Sequence, residues 1–217
     1  MWGILMGTVL AIGACASSPR DTRPDAATNL SPEDKMLRHK FRGIYGGVLY
    51  IDASGYAKDY VTMRTQSGQI WRATPGGYGR GAGQETFTGA MYIPKTIRVE
   101  WRTGNVSVRK DENGRSNYHS MGFEGGTILG DYTVPVIGRI PDEVLDYIRN
   151  KGGALRLKIR LKDDGVLIGW DVEESVPIRN WKAGDGAKSA IRYVMPGGDF
   201  REAQIYNGKV IDPGWEN

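Results

Sequence analysis

The chain changes its rhythm of apolar and polar positions twice. From Met1 to Ser18 it is uncharged and mostly apolar. The run is shorter than the ~20 apolar residues needed to cross a bilayer, and it closes on small residues, as the apolar core and cleavage zone of an export signal do. Ala16 to Lys40 is polar, with Ser17, Ser18, Pro19, Pro24 and Asn29 among mixed charges, the composition of a flexible tether. Within it, Ser31-Pro32-Glu33-Asp34 predicts the start of a short helix, with serine as N-cap, proline at the first helical position and an acid three residues after the cap. From Phe41 onward the dominant period is two, and the chain reads as β.

The predicted strands are Ile44 to Ile51, Tyr56 to Thr65 after the turn Asp52-Ala53-Ser54-Gly55, Glu85 to Pro94, Thr96 to Thr103, Asp131 to Ile137 and Ile191 to Met195. Thr96 to Thr103 alternates cleanly, with Ile97, Val99 and Trp101 on one face and Arg98, Glu100 and Arg102 on the other, the pattern of a half-buried antiparallel strand. Helical period returns once. Ile140 to Arg149 has Pro141, Asp142 and Glu143 at its start, an apolar stripe of Val144, Leu145 and Ile148, and Lys151-Gly152 at its close.

A hairpin is predicted around Asp164-Gly165. In Leu155 to Lys162 the apolar positions Leu155, Leu157, Ile159 and Leu161 alternate with Arg156, Lys158, Arg160 and Lys162. A turn at Asp164-Gly165 sets Leu161 against Ile168, Ile159 against Trp170 and Leu157 against Val172, and it matches Lys158 with Asp171 and Arg156 with Glu173. The basic row then lies on a solvated sheet face, with Arg160 and Lys162 free to meet an acidic partner. A second tight hairpin is expected at Asn207-Gly208, with Ile205 facing Val210, and Trp215 is expected to dock on the body.

Composition adds two constraints. Glycine is 31 of 217 residues, about twice the usual ~7%, which fits many turns between short strands. The formal charge is only +4, with 29 basic residues interleaved among 25 acidic ones, unlike the clustered basic face of a nucleic-acid binder. The fold class expected is mainly β: an antiparallel β-sandwich-like domain over residues 41–217 with one short helix, behind a signal at residues 1–14 and a tether at residues 15–40.

Candidate chemistry is sparse. Gly77 to Ala82 matches the loose dinucleotide fingerprint G-x-G-x-x-A, but strand rather than helix is predicted after it, so the segment reads as a β–β connection and no cofactor is expected. The two histidines, His39 and His119, fall in polar segments far from each other. There is no G-x-S-x-G elbow and no zinc-spaced His/Glu motif, so neither a catalytic nor a metal centre is expected. Tyr78 and Arg80, at the tip of the glycine-rich loop, are of the types enriched at interface hot spots, and with Arg160 and Lys162 they are the candidate partner-binding residues.

Ile12-Gly13-Ala14-Cys15 resembles the lipobox of bacterial lipoproteins, in which the signal is cut before the cysteine and lipid is attached to its sulfur. The resemblance implies a mature chain beginning at a lipidated Cys15, held in the cell envelope facing the periplasm. Ala16 after it implies the outer membrane by the enteric sorting rule.

A second resemblance runs from Gly55 to about Pro177. Gly55-Tyr56 with Asp59-Tyr60-Val61, the glycine-rich loop ending at Gly83, Tyr92-Ile93-Pro94 leading to Ile97-Arg98-Val99-Glu100-Trp101, and Leu155 to Trp170 are together similar to a group of bacterial β-rich periplasmic lipoproteins. Many of these accompany phospholipase effectors of the type VI secretion system as their immunity proteins. The resemblance implies a protein partner, a secreted lipase, and no chemistry of the chain's own. The alternative from the residues is a housekeeping envelope lipoprotein with a scaffolding role.

Overall fold

The computed structural model describes residues 32–81, 83–90, 93–180, 182, 188–199, 204–206 and 209–211, all within the compact unit Pro32–Asn217. The signal and Cys15, Ser31, the loop Gly184-Asp185-Gly186, the turn Asn207-Gly208 and Trp215 lie outside the described residues.

The domain is mainly β, as the alternation predicts. Helix α1 (Pro32–Lys40) leads into β1 (Tyr45–Ala53), β2 (Val61–Thr65), β3 (Ile70–Thr74), β4 (Gln84–Ala90) and β5 (Thr96–Val108). A four-residue helix α2 (Tyr118–Met121), β6 (Phe123–Pro135), a 3-10 turn at Ile137–Arg139 and α3 (Asp142–Lys151) follow. The chain continues through β7 (Ala154–Lys162), β8 (Gly165–Pro177), β9 (Ser189–Gly198) and the small pair β10 (Gln204–Tyr206) and β11 (Lys209–Ile211). One sheet has the order β4-β1-β7-β8-β9 and the other β3-β2-β5-β6.

The sheets share one core. Leu49, Ile51, Leu157, Ile159, Leu161, Ile168 and Trp170 from the first join Val61, Met63, Ile97, Val99 and Trp101 from the second. The stripe Val144, Leu145 and Ile148 of α3 completes it, as the sequence predicts. Trp101 is fully buried and stacks on Tyr132, with ring centroids 5.5 Å apart. It lies so close to Gly130 that a Cβ there would come within 2.0 Å of the indole. Helix α1 falls in the segment assigned to the tether, and its Leu37 packs against the core.

In the five-stranded sheet three pairings differ from expectation. First, β1 runs parallel to β7, with Gly47 opposite Leu155 through Ala53 opposite Leu161. Second, the β7–β8 register is two residues away from the one predicted. Lys162 pairs with Gly165, Ile159 with Ile168, Leu157 with Trp170 and Arg156 with Asp171, so Asp163-Asp164 is the turn. A shift of two keeps every side chain on its face because the strand period is two. Neither turn residue nor Gly165 takes a positive φ, so the left-handed residue that recommends an Asp-Gly turn is not required. Third, Pro196-Gly197-Gly198 does not end β9: Gly197 and Gly198 pair with Trp170 and Gly169. Ile205 faces Val210 in β10–β11, as predicted.

Candidate functional site

The glycine-rich loop is stitched to β1. The Ile51 N–H donates to Gly83 O at 2.8 Å, Ala53 N–H to Gly79 O at 3.2 Å, and Lys58 and Tyr78 exchange main-chain bonds at 2.9 Å in each direction. Gly83 has φ +81°, and its missing side chain leaves room for the Tyr78 ring, which a Cβ would meet at 2.7 Å. Tyr78 is therefore packed inward, 8% exposed and part of the core. Burial pushes its hydroxyl pKa up, against a hydrogen bond from Arg72. This corrects the expectation that Tyr78 is offered to a partner. Arg80, beside it, is exposed.

The basic row of β7 is corrected more sharply. Arg156, Lys158 and Arg160 are 3%, 0% and 3% exposed, because β7 is the central strand of five and its cations are matched inside the domain. Arg156 bonds both carboxylate oxygens of Asp171, and Lys158 Nζ is 3.0 Å from the same group. The Arg156 guanidinium also lies 3.7 Å from the Tyr193 ring centroid. Arg160 Nε is 3.4 Å from the Asp52 carboxylate, and Lys162 pairs with Asp164 at 3.2 Å. Neither Arg160 nor Lys162 is left over, and only Lys162 reaches the surface.

Asp52 links the loop to this row. Its Oδ1 accepts the Gly81 N–H at 3.1 Å while Oδ2 faces Arg160. Burial raises its carboxyl pKa, and Arg160, the main-chain donors and Arg80 oppose the rise. Of the four candidate contact residues, Arg80 and Lys162 thus reach the surface, Arg160 is buried below them through Asp52, and Tyr78 belongs to the core.

Sequence reasoning missed Lys58. This lysine is fully buried. Its Nζ donates to Ser54 O at 2.9 Å and Tyr56 O at 2.8 Å, pairs with the Asp163 carboxylate and lies 3.6 Å from the Tyr56 ring centroid. Lys58 thus ties the Ser54–Tyr56 segment to Asp163 in the β7–β8 turn. No local signal marks it, since its partner is a hundred residues away. Segments far apart in the chain meet around it: Tyr78 exchanges main-chain bonds with it, Asp163 pairs with its Nζ, and the Trp101 ring centroid lies 6.0 Å from that nitrogen.

A second cluster lies on the outer face of the four-stranded sheet. Thr62, Arg64, Arg98, Glu100, Arg102, Arg109 and Ile128 line a pocket of about 330 Å³. The predicted outward face of Arg98, Glu100 and Arg102 supplies its floor, while Thr62 and Arg64 stand opposite Glu100 and Arg98 across the β2–β5 ladder. Arg98 holds Asp131 with bonds of 2.7 and 2.5 Å, and Arg102 holds Glu100 at 2.7 Å. Among the described residues, the Arg64 side chain bonds only the main-chain carbonyls of Gly68 and Met121, each at 3.2 Å, and the Arg109 side chain only that of Phe123 at 3.1 Å.

His39 is exposed, and His119 is exposed beside Tyr118 in α2. Among the described residues no group of three or more His, Cys, Asp or Glu is arranged to hold a metal ion, and no helix is long and apolar enough to cross a membrane. No known family model matches the chain, and no curated protein or solved structure shows significant similarity to it.

Proposed function

We propose that the chain is a lipid-anchored protein of the bacterial cell envelope, tethered through Cys15 and facing the periplasm, that binds and neutralises a phospholipase-type effector of the type VI secretion system. The observation that carries this reading is the apolar run closing on Ile12-Gly13-Ala14-Cys15 ahead of a β-rich body. The resemblance over Gly55 to Pro177 supplies the class of partner. An immunity protein performs no reaction. It covers an active site or blocks a motion, through an interface of about 1,600 Å² centred on a few aromatic or arginine anchors. The contact surface proposed is the tip of the glycine-rich loop at Arg80 with the neighbouring end of β7 at Lys162.

The test is a survival competition. The gene is deleted, and the mutant is grown with its parent, whose type VI system is either intact or disabled. Selective killing by the intact parent is expected, reversed by a plasmid copy but not by one carrying Cys15→Ser. Equal survival beside both parents overturns the reading in favour of a housekeeping scaffold, whose loss would disturb the envelope in pure culture.

A further inference from the structure

The pocket on the four-stranded sheet brings four guanidinium groups together around the Glu100 carboxylate, with Asp131 holding Arg98 beside it. Glu100 and Asp131 neutralise Arg102 and Arg98, which leaves an excess of two positive charges on Arg64 and Arg109. Arg64 stands directly opposite Arg98, and like charges across a ladder destabilise a sheet. Burial lowers the Arg64 pKa, as do Arg109, Arg98 and Arg102, against the relief given by Glu100. The wall of the pocket also holds an unmet donor. The Thr62 hydroxyl is buried, the residue is 2% exposed, and the oxygen has no hydrogen-bond partner among the described residues. A buried hydroxyl left in this way costs about 1–3 kcal/mol.

We propose that this pocket binds a phosphate-type oxyanion, received by Arg64, Arg109 and the Thr62 hydroxyl. A doubly charged tetrahedral anion balances the excess charge, accepts the hydroxyl proton and presents several oxygens to planar guanidinium groups, the geometry in which arginine binds phosphate best. The Arg102 side chain keeps Glu100 occupied, so that carboxylate does not face the anion alone. The volume lies at the lower end of the range for small-ligand sites, and it admits a phosphate carried on a small alcohol. Two sources share this chemistry: a soluble phosphate or phosphoester, and the phosphate of a lipid headgroup. The proposal does not rest on the immunity reading.

The test uses the full chain carrying Cys15→Ser, so that no attached lipid contributes. Thermal melts and calorimetric titration are run with sodium phosphate and with sodium chloride at equal ionic strength. Phosphate is expected to raise the melting temperature above the chloride control. Arg109→Gln should weaken phosphate binding about ten-fold or more, in line with loss of a charged hydrogen-bonding group. Thr62→Val should weaken it several-fold while leaving the phosphate-free melting temperature unchanged or higher, since it removes a hydroxyl that bonds nothing among the described residues. It decides the matter even if Arg109→Gln folds poorly. Equal effects of phosphate and chloride, or undiminished phosphate binding by Thr62→Val, overturn the proposal. Sedimentation with phosphatidylcholine vesicles, with or without phosphatidic acid, separates the sources. Binding to phosphatidic acid that Thr62→Val weakens identifies a headgroup, and phosphate binding without vesicle binding identifies a soluble ligand.

Discussion

Arg156 closes on Asp171 with two hydrogen bonds, 2.7 and 2.5 Å long, at a point where both residues are almost entirely shielded from water. Lys158 approaches the same carboxylate from the next outward position of β7. One acid thus serves two cations on a face that the strand pattern alone assigns to solvent. Asp171→Ala would leave both cations buried beside a missing charge, and breaking such a pair from one side costs about 3–5 kcal/mol. Urea denaturation should show that loss with an unchanged slope. A change under about 1 kcal/mol would mean that the row is more hydrated than its burial indicates.

Lys58 and Asp163 form an unequal couple. The lysine is fully shielded and the aspartate side chain is 55% exposed. Lys58→Met would orphan the carbonyls of Ser54 and Tyr56, at about 1–3 kcal/mol each. Asp163→Asn removes a partner that water can replace, and should cost under about 1 kcal/mol. Thermal melts of the two variants should therefore differ clearly, with Lys58→Met the lower.

Tyr78 and Arg80 should separate stability from binding. Tyr78→Ala opens a hole in the core and should cost about 3 kcal/mol, as aromatic truncations do. Arg80→Ala should stay within about 0.5 kcal/mol of the parent, as surface changes do, and should weaken capture of the effector if the loop is the contact surface. A pull-down with purified effector and a melt of each variant check both halves.

Acid should unfold the domain in part through Asp131 and Asp199. The two bonds from Arg98 hold the Asp131 carboxyl below its usual pKa, with burial opposing. For Asp199, burial pushes the pKa up, but the grip of Arg139 and the Ile168 N–H at 2.7 Å outweigh it, so the net shift is downward. A carboxyl whose folded pKa is depressed contributes its full stability above its unfolded value near ~4 and loses it as pH falls through the folded value. Asp52 has the opposite sign: its pKa is raised by burial, so its share favours folding at low pH and is lost as pH rises. The net expectation is a plateau near neutrality and a fall below about pH 4. Asp199→Asn should lower the plateau and flatten the acid limb, as followed by chemical denaturation at a series of pH values.

Alternation carries which face a residue occupies but not the direction or neighbours of its strand. Leu155 to Lys162 shows its inward row plainly, yet nothing in it says that β1 lies alongside in parallel or that the outward row is covered. The Asp-Gly pair is the stronger local turn signal and points one residue past the observed turn, whose Asp163 is held by Lys58 from about a hundred residues away. β3 carries little signal, since Ile70-Trp71-Arg72-Ala73-Thr74 is short and runs into Pro75-Gly76. Most of β6 lacks a readable period, since the adjacent Ile128 and Leu129 are both exposed and Gly125-Gly126 interrupts the alternation. At the anion pocket, the row Arg98, Glu100, Arg102 was legible, but Thr62, Arg64 and Arg109 come from elsewhere in the chain and only the sheet assembles them.

The parallel pairing of β1 with β7 joins residues about a hundred positions apart, with the whole four-stranded sheet formed from the chain between them. Contacts of such long sequence separation make folding slow, because the intervening loop must be closed before they stabilise anything. The larger sheet cannot be completed until β7, β8 and β9 are all available to it. A chain threaded through a narrow pore from its N-terminus would therefore remain open for most of its passage, and this topology lets the domain delay its own completion until almost all of it has emerged.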